Sequence, residues 1–123
     1  MTHEKELTFT EVVARWLKYH YGAHNVEGDE KQVVLPKTSR RPDYVVETPI
    51  GKSLAVEVEN ERVITYESVG QARAYANELS DVRDGEYMPV VIVPSHGGRG
   101  RGTDYLSREV EARYVDEDWE LPA

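Results

Sequence analysis

Between Thr8 and Tyr21 apolar residues return every three or four positions, at Phe9, Val12, Val13, Trp16, Leu17 and Tyr21. That spacing predicts an amphipathic helix, and Gly22 supplies its stop. The period then shortens. Gln32 to Pro36 (QVVLP) reads as a short strand, and Asp43 to Thr48 (DYVVET) and Ser53 to Asn60 (SLAVEVEN) as two more. Pro49, Ile50, Gly51 and Lys52 lie between the last two as a tight turn, which makes that pair a hairpin. Helical spacing returns from Ser68 to about Asp81, with Val69, Ala72, Ala76 and Leu79 inward. Met88 to Pro94 (MPVVIVP) is almost wholly apolar, the pattern of a central strand buried on both faces. A glycine-rich segment, SHGGRGRG, occupies 95 to 102. Beyond it, Asp104 to about Tyr114 reads as a third helix, and the acidic tail as a further edge strand.

A helix lying between the hairpin and the apolar strand implies a crossover into a mixed sheet with helices on both faces. The expected architecture is one α/β domain over residues 1–123, because a chain of this length has room for a single core. No run of 18 apolar residues is present, so no membrane span is expected. The N-terminus, MTHEKELTFT, is polar and mixed in charge, unlike a secretory signal. The absence of cysteine excludes disulfides, thiol catalysis and cysteine-ligated metals, and fits a reducing cytoplasm.

Charge changes the picture. The net charge is −8, from 23 acids against 15 bases, and ten of those bases are arginine. A basic nucleic-acid-binding surface would ordinarily show as the opposite sign. Scarce lysine with abundant surface carboxylate is, however, the composition expected of a protein adapted to high salt. At 1 M salt the Debye length is only about 3 Å, so surface self-repulsion is screened and local basic clusters count for more than the total. The thermal midpoint is therefore expected to rise between low and molar KCl. A flat or falling midpoint would remove the halophilic reading.

Candidate chemistry lies in the third strand. Glu57 and Glu59 are two apart and share one sheet face, while Val56 and Val58 take the other. Asp43 begins the adjacent hairpin strand, and directly opposed cross-strand Cβ atoms sit about 4.5–5.5 Å apart. Three carboxylates so placed repel one another and favour a shared cation. Hard oxygen donors suit Mg²⁺ or Mn²⁺, which also bind phosphate oxygens and water. The competing reading is a hairpin with an acidic, solvent-facing side.

The segments Arg40-Arg41-Pro42-Asp43, Ala55-Val56-Glu57-Val58-Glu59 and Gly70-Gln71-Ala72-Arg73-Ala74-Tyr75-Ala76 together carry a resemblance. In their order and spacing they resemble the PD-(D/E)XK nuclease superfamily, whose restriction-endonuclease-like fold includes archaeal Holliday-junction resolvases. The resemblance spans roughly residues 8 to 95. It implies a restriction-endonuclease-like core and metal-dependent hydrolysis of a DNA phosphodiester, with Asp43 and Glu57 as ligands of Mg²⁺ or Mn²⁺. The family's third position is usually lysine, and here it is Glu59. Glu59 then either assists as base or second-metal ligand, or marks a degenerate site that only binds nucleic acid. The resemblance also implies a metal-site role for Glu11 and a catalytic role for Gln71. Glu11 also closes a capping box begun by Thr8, and Gln71 could close one begun by Ser68. Tyr75, one turn after Gln71, reads as a packing residue.

An anionic partner would meet Lys37, Arg40 and Arg41, a run without an acid directly before Asp43, and Arg99 and Arg101 in the glycine-rich segment. That segment lacks a GK[ST] ending and is no nucleotide P-loop. The four histidines form no ligand or triad pattern. The expected partner is therefore DNA, duplex or branched, and a core this small makes a homodimer plausible. The rivals are a catalytically dead nucleic-acid-binding module of the same fold and an acidic protein-interaction domain.

Overall fold

Helix α1 runs Phe9–Tyr21 in the computed structural model, which describes residues 7–28, 32–61, 63–94 and 110–122. Thr8 caps it: the Glu11 N–H donates to Thr8 Oγ1 at 3.2 Å, and the Glu11 carboxylate accepts from the Thr8 N–H at 3.3 Å. The Gly22 N–H closes the far end on the Lys18 carbonyl at 2.9 Å. A short 3₁₀ turn, Ala23–Asn25, leads into β1, Val26–Glu27. Then come β2 (Tyr44–Val46), β3 (Ser53–Val58), α2 (Tyr66–Val82), β4 (Tyr87–Pro94) and β5 (Glu111–Val115).

The five strands form one sheet in sequence order, β1-β2-β3-β4-β5. The first three are antiparallel and the last two join in parallel, so α2 carries the chain from β3 across to β4 as the sequence predicts. Strand alternation sorts the side chains into two layers. On one face Tyr44, Val46, Leu54, Val56 and Val58 pack under Val12, Val13 and Leu17 of α1. On the other, Val45 and Ala55 meet Tyr75, Ala76 and Leu79 of α2, while Val91 and Val93 meet Val69 and Ala72. Each aliphatic side chain buried this way contributes about 1.5–3 kcal/mol relative to exposure. Among the described residues no helix is long and apolar enough to cross a membrane.

Two expected elements differ. Gln32 to Pro36 is not a strand, because its backbone is committed to a local turn. The Ser39 N–H bonds the Leu35 carbonyl and the Leu35 N–H bonds the Arg40 carbonyl, each at 2.8 Å. Val26–Glu27 takes the edge beside β2 instead. The expected third helix is overruled at its end, where Glu111–Val115 is a strand. Ala112 and Tyr114 pack on the Val91 and Val93 side while Val115 joins the opposite layer, a period of two that satisfies the open edge of β4. The edge strand therefore lies just before the acidic tail rather than in it. Residues 104–109, and Arg99 and Arg101, lie outside the described residues.

Candidate active site

The β2–β3 register pairs Tyr44 with Val56 and Val46 with Leu54. Extending that register one step brings Asp43 opposite Glu57, on the face that α2 covers. Asp43 does not continue the ladder with its backbone. Its Oδ2 accepts from the Val58 N–H at 2.7 Å, so the carboxylate caps the end of the hairpin and is held beside Glu57. Pro42, buried just before it, fixes the chain's approach. On the other side Gly28 lies flat against the same peptide, with φ +114. A Cβ there would stand 2.4 Å from the Asp43 carbonyl oxygen.

Glu57 is the unusual group. Burial, then repulsion from Asp43, pushes its carboxyl up to about 8, and Glu59 adds to the rise. The Tyr75 hydroxyl bonds it and works against that rise. Tyr75 is itself pushed up to about 12, by burial first and then by the charge of Glu57. The positive charge of Arg40 opposes that second shift. Glu57 Oε2 is buried and has no hydrogen-bond partner among the described residues. An unpartnered buried carboxylate oxygen beside a second carboxylate is costly, and a cation in that place would relieve both costs.

Among the described residues no three His, Cys, Asp or Glu side chains gather around a common ion position. The trio expected from sequence is thus a pair with a neighbour. Strand β3 ends at Val58, and although the Glu59 N–H still bonds the Ile92 carbonyl at 2.9 Å, its carboxylate turns to the following loop and accepts from the Glu61 N–H at 3.4 Å.

The other expected site residues divide. Glu11 sits on α1, against the opposite sheet face, with its carboxylate held in the capping box. Gln71 lies on α2 one turn before Tyr75, but its amide donates to Glu67 at 3.3 Å rather than reaching Glu57. The cap of α2 is Thr65 with Ser68, so Gln71 is not needed there. Lys37 pairs with Asp81, an exposed pair of the kind that contributes about 0–1 kcal/mol. Arg41 reaches Gln32 at 3.4 Å. From the sequence, Tyr75 reads as a packing residue on the same helix face as Gln71. It does pack, with Leu35, Val45 and Ala55, but it also touches Glu57. Its place one turn after Gln71 was the only signal for this in the sequence.

The Glu57 shift sets a pH dependence of stability. In the metal-free fold Glu57 keeps its proton up to about pH 8, whereas an unfolded chain loses it near the ordinary 4.5. The contribution is therefore neutral below 4.5, turns increasingly unfavourable as pH rises toward 8, and is fully unfavourable above. Discounted for solvent reaching a half-buried carboxyl, the penalty is about 2 kcal/mol. Glu57→Gln in EDTA should melt like the wild type near pH 4.5 and above it at pH 8.5. Parallel midpoints at both pH values would refute the raised carboxyl.

No protein-family model matches the chain, and no curated protein matches it. Two solved structures do. One is the crystal structure of a repair endonuclease from Pyrococcus abyssi, with TM-score 0.57 and 13% identity. The other is a complex of EndoMS with dsDNA, with TM-score 0.57 and 15% identity. Each match covers 98% of this chain and 50% of the other, so the chain spans half the length of the endonucleases it resembles. At this identity the likeness is one of fold. The chain shares the α/β fold of these structures, a five-stranded mixed sheet compatible with the restriction-endonuclease-like core that its motif order led one to expect.

Proposed function

We propose that this domain is a metal-dependent nuclease that hydrolyses a DNA phosphodiester at the Asp43–Glu57 pair. The observation that carries the reading is the orphaned Glu57 Oε2 beside Asp43, at the end of a hairpin in an endonuclease fold. The pair fits a hard divalent cation: two carboxylates that repel, one with an oxygen left without a donor. Asp43 and Glu57 would hold Mg²⁺ or Mn²⁺, which when bound polarises the phosphate and acidifies water. Asp43 keeps its orientation through the Val58 N–H, and Tyr75 steadies Glu57. Glu59 is close enough to influence Glu57 and is the candidate base or second-metal ligand.

DNA phosphates would meet Arg40 and Arg41, with Arg99 and Arg101 as further contacts. Lys37 can join them, since its exposed pair with Asp81 is weak enough to exchange for a phosphate. A second copy of the chain is the proposed source of further grip on a duplex, because a core this small offers little surface of its own.

The test is incubation with labelled duplex, nicked, branched and single-stranded DNA, with Mg²⁺, Mn²⁺ or EDTA, at low and molar salt. Cleavage of at least one form that EDTA abolishes is the expected result. Binding without cleavage under every condition would favour the second reading, a catalytically silent DNA-binding module. The acid at position 59 and the two-carboxylate geometry are what recommend that alternative.

A further inference from the structure

Glu78 is a buried acid that the proposed chemistry does not use. It lies on α2, one turn beyond Tyr75, with 8% of its surface exposed. A buried carboxylate needs donors, and Glu78 has them from a single source. Its Oε2 accepts from the Lys37 N–H at 2.7 Å and its Oε1 from the Thr38 hydroxyl at 2.6 Å. Burial alone would raise this carboxyl, but the bonds from Thr38 and Lys37 outweigh it and hold the carboxyl below its usual range. The acid thus clamps the turn from Pro36 to Arg41 onto α2.

That turn is worth clamping. Ser39 sits at φ +60, a left-handed conformation that costs a non-glycine residue on the order of 1 kcal/mol or more. The turn closes through the Leu35 N–H on the Arg40 carbonyl at 2.8 Å, and Leu35 belongs to the same core cluster as Tyr75. One helix therefore holds both ends of a short frame: Tyr75 touches Glu57, and three residues on Glu78 grips the turn that presents Arg40. Among the described residues no carboxylate pairs with the Arg40 guanidinium, whereas Lys37, Arg83 and Arg113 are each paired. Two carboxylates and a phosphodiester leave the site negative, and Arg40 lies three residues before Asp43, on the turn that Glu78 holds to α2.

We propose that Glu78 is a positioning residue: by anchoring the turn before Asp43, it fixes Arg40 as the cation that receives the scissile phosphate. This rests on the nuclease reading. It adds to that reading a division of labour, with Arg40 at the reacting phosphate and Arg41 on the flanking backbone.

The experiment is a double-mutant cycle of Glu78→Ala and Arg40→Ala, read as cleavage rate and, in a Glu57→Gln background, as duplex affinity against salt. Arg40→Ala is expected to reduce kcat on the order of 10²-fold, as loss of a phosphate-stabilising group does, and to lower the salt slope by about 0.9. Glu78→Ala is expected to reproduce part of both effects, yet to add less than twofold once Arg40 is gone. Thr38→Val leaves α2 untouched but removes both the bond to Glu78 and the one Thr38 Oγ1 accepts from the Arg40 N–H at 3.3 Å, so it tests the clamp and the turn together. It should show the same non-additivity and serves if Glu78→Ala fails to fold. Additive losses in the Thr38 and Glu78 cycles, or an unchanged salt slope in Arg40→Ala, would overturn the inference while cleavage by the wild type stood. A wild type that neither binds nor cleaves any DNA form would overturn the nuclease reading and the inference together.

Discussion

Asp43→Asn and Glu57→Gln should each reduce cleavage by 10⁴-fold or more, with folding intact. If both carboxylates hold the metal, losing either removes the polarised phosphate and the acidified water at once, and the effects will not add. Folding should survive because each substitution relieves a repulsion that already pushes Glu57 up to about 8. Glu59 is then the informative residue. As base or second-metal ligand, Glu59→Gln should cost on the order of 10²–10⁴-fold. As a bystander turned toward Glu61, it should cost less than tenfold. Glu59→Lys places a cation at the rim and should preserve or raise activity if β3 delivers the side chain to the pair. A wild type inert on every DNA form, beside an active Glu59→Lys, would mean that the acid had silenced the site. Rates measured beside circular dichroism melts separate these outcomes from misfolding.

Gly28→Ala should damage stability and activity together. Its Cβ would fall 2.4 Å from the Asp43 carbonyl oxygen and 3.2 Å from the Tyr44 Cα, and both atoms are backbone. No rotamer change relieves such a contact, and φ +114 is itself strained for any residue with a side chain. The combined cost is about 3 kcal/mol, or a fall of roughly 10 °C in Tm for a domain of this size. Whatever relaxation occurs must move the Asp43 peptide, so cleavage measured well below the new Tm should still fall, on the order of tenfold or more. Gly51→Ala is the control. Its φ is +87 at the hairpin turn, but a Cβ there meets nothing within 4 Å, so it should cost about 1 kcal/mol and leave activity alone. Equal losses from the two substitutions would show that Gly28 matters only for its backbone angle.

The contrast between these glycines also marks how far the sequence could be read. Both are glycines near turns, and nothing local separates them. The close approach of Gly28 to Asp43 exists only because β1 lies beside β2 in the sheet. Tyr75 is similar: its helical position was legible, but its contact with Glu57 depends on how α2 crosses β3. Glu78 was not singled out at all, because an acid on a polar helix looks the same whether it faces water or a turn forty residues away. For Glu11 the local alternative is the one seen, its carboxylate held in the cap three residues away and on the helix that covers the opposite sheet face.

What the sequence by itself determined was α1, the hairpin, the crossover helix, the apolar central strand and the pairing of Asp43 with Glu57. Each follows from a period of 3.6 or 2 and from turn residues a few positions apart, and a one-step register slip would have turned Val45 and Ala55 to the wrong layer. Tertiary structure alone decided the remainder. It made Glu111–Val115 a strand, because the free edge of β4 offered hydrogen bonds that an isolated short helix could not match. It turned Gln32 to Pro36 away from the sheet, because Leu35 found its burial against α2 and its backbone found partners in its own turn. The same packing sent Glu59 toward its loop and brought Tyr75 to Glu57. Periodicity reports which face of an element is apolar, but the choice of edge, layer and neighbour belongs to the assembled sheet.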